Sequence, residues 1–139
     1  MQDRVILRII AKFLVPLILI FALYVQFHGD YSPGGGFQAG VIFAAALIFY
    51  TLVFGLQATI RIIPPVVLRF LASFGVLLYA GVGVVAMLRG GNFLDYDVLA
   101  EHAKHGQHIG IILVELGVGI TVAAVMLSIF FAFVRRSRP

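Results

Sequence analysis

No cysteine occurs among the 139 residues, so the chain forms neither a disulfide nor a thiolate metal site, and cysteine usage says nothing about its redox compartment. Charge is scarce as well. Asp, Glu, Lys and Arg together make up 12% of the residues, against 62% that are hydrophobic. With a mean hydropathy of +1.09, a water-soluble domain of this size could not cover its apolar residues with so little polar surface. There is no internal repeat and no segment with the composition of a soluble domain. No nucleophile–base pair and no cofactor-binding loop stands out, so neither an enzyme nor a cofactor is expected. The formal net charge of +4 is not a nucleic-acid signal, because the basic residues sit at the ends of apolar runs, where a membrane protein uses them for orientation. The natural solvent for such a chain is lipid.

Four apolar runs are long enough to cross a bilayer, at residues 5–27, 37–57, 67–88 and 109–134. Pro33 and the glycines around it separate the first pair, Pro64 and Pro65 the second, and the stretch from Arg89 to Asn92 opens a longer connection before the fourth. In lipid the backbone must satisfy its own hydrogen bonds, so each run is expected to be a helix in an all-α integral membrane protein forming a single domain over residues 1–139. A cleaved signal peptide is the weaker reading of the first run, which is too long for one and is interrupted by Lys12. Basic residues then orient the spans. Arg4, Arg8, Arg61, Arg69, Arg135, Arg136 and Arg138 fall on the side of both termini and the second loop, with Lys12 nearby, whereas the first and third loops carry only Arg89 and Lys104 beside Asp30, Asp95, Asp97 and Glu101. The excess of arginine predicts cytoplasmic termini.

The first loop, HGDYSPGGGF, therefore faces outward. It holds His28, Asp30, Pro33, Gly34, Gly35, Gly36 and Phe37. A phosphate-binding loop is one reading, but the Gly-Lys-Ser/Thr ending is missing and no strand precedes it. Helix initiation from Ser32 and Pro33 is a second, although three glycines in a first turn would each cost roughly 1 kcal/mol relative to alanine. The third is a tight turn where backbone passes close to another backbone, or dips into the membrane against protein. That reading is preferred and implies a partner surface, in this chain or another.

An imidazole, a short polar spacer and Pro33-Gly34-Gly35-Gly36-Phe37 at the mouth of an alanine-rich span resemble the MnhB-like family, small membrane subunits of the Mrp-type multisubunit cation/proton antiporters. Further likeness lies in the four spans, in Phe37-Gln38-Ala39-Gly40, in Gly91-Asn92-Phe93, and in His108 followed by Glu115-Leu116-Gly117-Val118-Gly119. The resemblance covers essentially the whole chain, with Ala39 where many relatives carry glycine. It implies one small subunit of a large hetero-oligomeric complex in the bacterial cytoplasmic membrane, handling Na⁺ or another monovalent cation and protons at the level of the complex.

Two ionisable residues fall inside spans, where a charge costs roughly 2.5–3.5 kcal/mol at mid-bilayer on insertion scales. Lys12 shares a face with Arg4 and Arg8 and lies about 10 Å from the start of its span. It either snorkels back to the headgroups or presents a positive charge to a polar path in a neighbouring subunit. Glu115 lies about 9 Å below the expected outer surface and is too short to snorkel as far. It reads either as a protonated, hydrogen-bonded link between helices or as a waypoint for a proton or cation. His108, two turns away, could connect to it only through water. Lys12 and Glu115 fall in opposite halves of the bilayer and are not expected to pair. Glu115, His108, Lys12, His28 and Asp30 are the candidates for an ion or proton path.

The third loop collects Asp95, Asp97, Glu101, His102, His105 and His108. Their spacing matches no closed ligand set, so a solvated loop that guides cations or seals against a partner is preferred to a metal site. The small residues Ala44-Ala45-Ala46, Gly75, Gly81, Gly83, Gly117 and Gly119 would let helices approach closely. Four short helices with one embedded carboxylate look insufficient for complete coupled antiport, so the expected role is an accessory subunit. The alternatives are the ion-module subunit of a redox-driven complex such as a membrane-bound hydrogenase, and a self-contained homo-oligomeric channel or transporter.

Overall fold

The computed structural model describes residues 2–27, 35–90 and 103–137. They form α1 (Gln2–Phe27), α2 (Gly36–Phe54), α3 (Leu56–Ile62), α4 (Pro65–Leu88) and α5 (Ala103–Ser137). All but the short α3 are long and apolar enough to cross a membrane. No strand occurs among the described residues, so the four-span, all-helical expectation holds.

The boundaries differ in two places. The second apolar run does not continue to Gln57. Helix α2 ends at Phe54, and Gly55 turns the chain with φ +95° before α3 begins. That conformation is open to glycine and strained for other residues. The turn is locked by side chains. Thr51 Oγ1 donates to the Leu47 carbonyl at 2.8 Å and lies 2.7 Å from Thr59 Oγ1. Because the Thr51 proton is committed to Leu47, the Thr59 hydroxyl donates to Thr51 rather than to the more distant Gly55 carbonyl at 3.4 Å. Both threonines are buried, so the bond satisfies polar groups that lipid could not. The fourth run is longer than expected, because α5 begins at Ala103, inside the stretch read as a loop. Pro65 occupies the first turn of α4, where its missing N–H is no loss.

The helices pack in the order α1–α2–α5–α4, with α2 and α5 central. Helix α1 buries Ala11, Val15, Ala22 and Gln26, a narrow stripe at spacings of four and seven. Its other faces expose Phe13, Leu17, Ile20 and Phe21, as a lipid-facing helix does. Glycines set the closest approaches. A methyl group on Gly40 would lie 2.7 Å from the Gly119 carbonyl, and one on Gly117 would lie 2.8 Å from the Gly75 carbonyl. Thus α2 and α4 each press glycine backbone against α5. A cluster of Leu47, Leu56, Leu68, Leu127 and Phe131 fills the end of the bundle where both termini lie.

Candidate functional site: a carboxylate against a glycine turn

Toward the opposite end of the bundle, α2 starts directly on α5. Gly36 lies so close to Glu115 that a methyl group there would overlap the Glu115 carbonyl oxygen and come within 2.9 Å of its carbon and 3.1 Å of its Cα. All three are backbone atoms. Gly35, with φ +148°, sits beside the side chain instead, where an added methyl would be 3.2 Å from Glu115 Oε1 and 3.5 Å from Gln38 Oε1. Two demands meet here that only glycine satisfies, a left-handed backbone at Gly35 and bare backbone at Gly36. Both residues are buried, whereas Phe37 and Gln38 are exposed.

The first hydrogen bond of α2 runs from Ala39 N–H to the Gly35 carbonyl at 3.0 Å. The N–H groups of Gly36, Phe37 and Gln38 therefore have no acceptor within the helix. They carry the partial positive charge of a helix start, and Oε1 of the half-buried Glu115 lies beside Gly35, the residue just before them. One turn further along α5, Gly119 faces the amide of Gln26 from α1 and the carbonyl of Gly36. Helices α1, α2 and α5 thus converge on one polar seam.

The seam does not lie at the end of the four-helix unit. Gly117 packs against Gly75 and the backbone of Tyr79, and α4 continues from Tyr79 to Leu88. Measured along α5, the start of α2 stops about 10 Å short of the end of α4. The glycine turn is therefore flanked on one side by protein that extends past it.

The other candidates lie elsewhere. His28, Asp30, Pro33 and Gly34 fall outside the described residues. His108 belongs to the early turns of α5, but its side chain is outside them. Asp95, Asp97, Glu101 and His102, named in weighing a metal site, also fall outside, and no group of three metal-ligating side chains occurs among the described residues. Lys12 is exposed on α1 next to Arg4 and Arg8. The Arg8 guanidinium carbon lies 6.0 Å from the Phe54 ring centroid, which ties this basic face to the far end of α2. Nearly the full α2 length, about 27 Å at 1.5 Å per residue, separates that level from Gly36. Gln26 is the seam residue that sequence reasoning missed. Its signal was its place in the four-and-seven stripe of buried α1 positions.

Residues 6–128 match the family described as a domain related to the MnhB subunit of a Na⁺/H⁺ antiporter. The chain belongs to the MnhB family. Proteins named as antiporter subunit mnhB2 from Staphylococcus aureus strains Newman and COL are each 32% identical to it over 134 residues, which is 94% of both chains. With four spanning helices and this family, the chain is a multi-pass membrane protein, and its family is named for a transporter subunit rather than for an enzyme.

Proposed function

We propose that this MnhB-family chain is an accessory subunit of a multisubunit Na⁺/H⁺ antiporter in a bacterial cytoplasmic membrane, with both termini cytoplasmic and the glycine turn on the outer side. Neither the redox-driven complex nor the self-contained channel is favoured by the relatives, which carry the antiporter name. Its partners are the other antiporter subunits, and its exposed apolar faces meet them or lipid.

Within that assembly Glu115 is a waypoint for a proton or cation. The observation that carries this reading is the carboxylate lodged beside Gly35, at the start of a helix whose first N–H groups have no acceptor within it. Those donors stabilise the negative charge once a proton or cation has left, while the flanking end of α4 separates the group from bulk lipid. Lys12, near the opposite end, is too distant to neutralise Glu115 and belongs to the cytoplasmic face.

The test is Glu115→Gln, assayed for cation-driven proton movement in everted membrane vesicles and for recovery of the intact complex in mild detergent. The reading expects exchange to be lost while the complex assembles in normal amount, with partial recovery in Glu115→Asp. Normal exchange in the glutamine variant would remove Glu115 from the path, and loss of the complex would make it a structural link.

A further inference from the structure

Gln26 sits in the last turn of α1. It is 7% exposed and forms no hydrogen bond with any described residue. A side-chain amide has two N–H donors and a carbonyl with two lone pairs. Burying it without partners is costly, and hydrocarbon supplies none. Its partner must be small enough to reach a closed position between three helices.

The helix directions say where that partner lies. A helical side chain leans toward the N-terminus of its own helix. Helix α1 starts at the end where both termini lie, so Gln26 leans back into the bundle. Its amide oxygen reaches Gly119, one turn of α5 beyond Glu115. A methyl group on Gly119 would overlap that oxygen and would lie 3.2 Å from the Gly36 carbonyl oxygen. The amide and the carbonyl therefore border one small space, which exists because Gly119 has no side chain. The Gly36 carbonyl spends one lone pair inside α2 and has a second to offer. The same amide borders the groove between α1 and α4, beside Ala39 and Gly40, so the space is not sealed. A water there donates one proton to Gln26 Oε1 and the other to the Gly36 carbonyl, which meets the need of a buried water for at least two polar partners.

Gly36 stands between two polar groups. The Glu115 carboxylate lies on its N-terminal side, next to Gly35, and the Gln26 amide lies on its carbonyl side. We infer that Gln26 holds a buried water against the Gly36 carbonyl, and that this water continues the path of Glu115 one turn further into the bundle. A second water bridges the turn between it and the carboxylate. The inference rests on Glu115 being a waypoint. Gln26 is a positioning residue. The held water accepts a proton from the Glu115 side and releases one on the groove side, and the amide is unchanged after each passage.

The test reads hydration and exchange separately, in the native assembly. Ala39 lines the groove with Gln26 and is 4% exposed. Ala39→Cys places a thiol there in a chain otherwise free of cysteine. A thiol reacts as its thiolate, which forms only where water reaches it. In nanodiscs open to reagent on both sides, methanethiosulfonate ethylammonium should modify Ala39→Cys, read as added mass on this chain. It should leave Ala44→Cys, at a position in the dry core, untouched. Adding Gln26→Leu, or the closer-sized Gln26→Met, should slow the modification about tenfold, the weight of one hydrogen bond. Mere loosening of the helices would speed it instead. Gln26→Leu alone should lower cation-driven proton exchange by a similar factor with the complex recovered in normal amount. No modification of Ala39→Cys would overturn the inference, because protein then seals the groove against the amide. Equal modification with and without Gln26 would overturn it too. Normal exchange in Gln26→Leu, beside lost exchange in Glu115→Gln, would take Gln26 off the path and leave the role of Glu115 standing.

Discussion

Replacing glycine by alanine inside a helix ordinarily stabilises it by about 0.5–1 kcal/mol, because alanine has less backbone freedom to lose. At Gly81 that rule applies unopposed. The position is within α4, and an added methyl group meets nothing within 4 Å. At Gly36 the same methyl meets the Glu115 carbonyl oxygen, its carbon at 2.9 Å and its Cα at 3.1 Å. None of these atoms belongs to a side chain that can swing away. The clash is relieved only if α2 and α5 part by several tenths of an ångström or more along their contact, which also loosens Gly40 against Gly119. Overpacking of this kind costs about 1–3 kcal/mol. The propensity gain is small at the first residue of a helix, so the net loss at Gly36 is about 1–2 kcal/mol.

Gly36→Ala and Gly81→Ala should therefore move stability in opposite directions, with a gap of about 2 kcal/mol between two chemically identical substitutions. The assay is reversible unfolding of the purified chain in mixed micelles, titrated with dodecyl sulfate and followed by circular dichroism. Gly81→Ala should shift the midpoint up and Gly36→Ala down. A Gly36→Ala chain as stable as the Gly81→Ala chain would refute the claim that bare backbone is required where α2 starts.

The Thr51–Thr59 bond predicts a coupled pair. Thr51→Val and Thr59→Val should each destabilise by about 1 kcal/mol or somewhat more, and the double variant by clearly less than their sum, because either single replacement already breaks the one bond between the two hydroxyls. Additive losses in the same unfolding assay would contradict the assigned bond. Lys12 is exposed while its neighbours Ala11 and Val15 are buried, so Lys12→Leu should change the stability of the isolated chain by less than about 0.5 kcal/mol. A loss well above that would mean Lys12 holds the helices together.

Much of the architecture was legible because lipid imposes one rule on the backbone, and long apolar runs announce it. The four spans needed no tertiary information. The break at Gly55 was not legible, because the surrounding residues stay apolar and hydropathy does not register a change of direction. Only a glycine flanked by threonines eight apart hinted at it. The extension of α5 to Ala103 was hidden for the converse reason, since a helix leaving the membrane gains polar residues without ending. Glu115 and the glycine turn each stood out in the sequence, one as a charge in a span and the other as an excess of flexibility. Their contact did not, because it joins residues distant in sequence through the packing of two helices with no polar face to set their register. Gln26 was overlooked because a glutamine near a span end is unremarkable until the helix face it occupies is known.

The contact also separates two roles that the sequence left entangled in Glu115. Gly36 rests on the carbonyl and Cα of residue 115, atoms that every residue possesses. The carboxylate reaches past that seat toward Gly35 and the first N–H groups of α2. The seat of Gly36 on α5 is therefore made by backbone, and glutamine at position 115 preserves that seat. On the proposed reading, charge and proton exchange are the work of the side chain, and glutamine removes them. Gly36→Ala should accordingly weaken the bundle with the carboxylate intact, while Glu115→Gln should leave the bundle standing without its titratable group. If the two variants instead fail in the same way, both losing assembly, then the carboxylate is part of the joint. The polar seam would then be a structural element rather than part of a path.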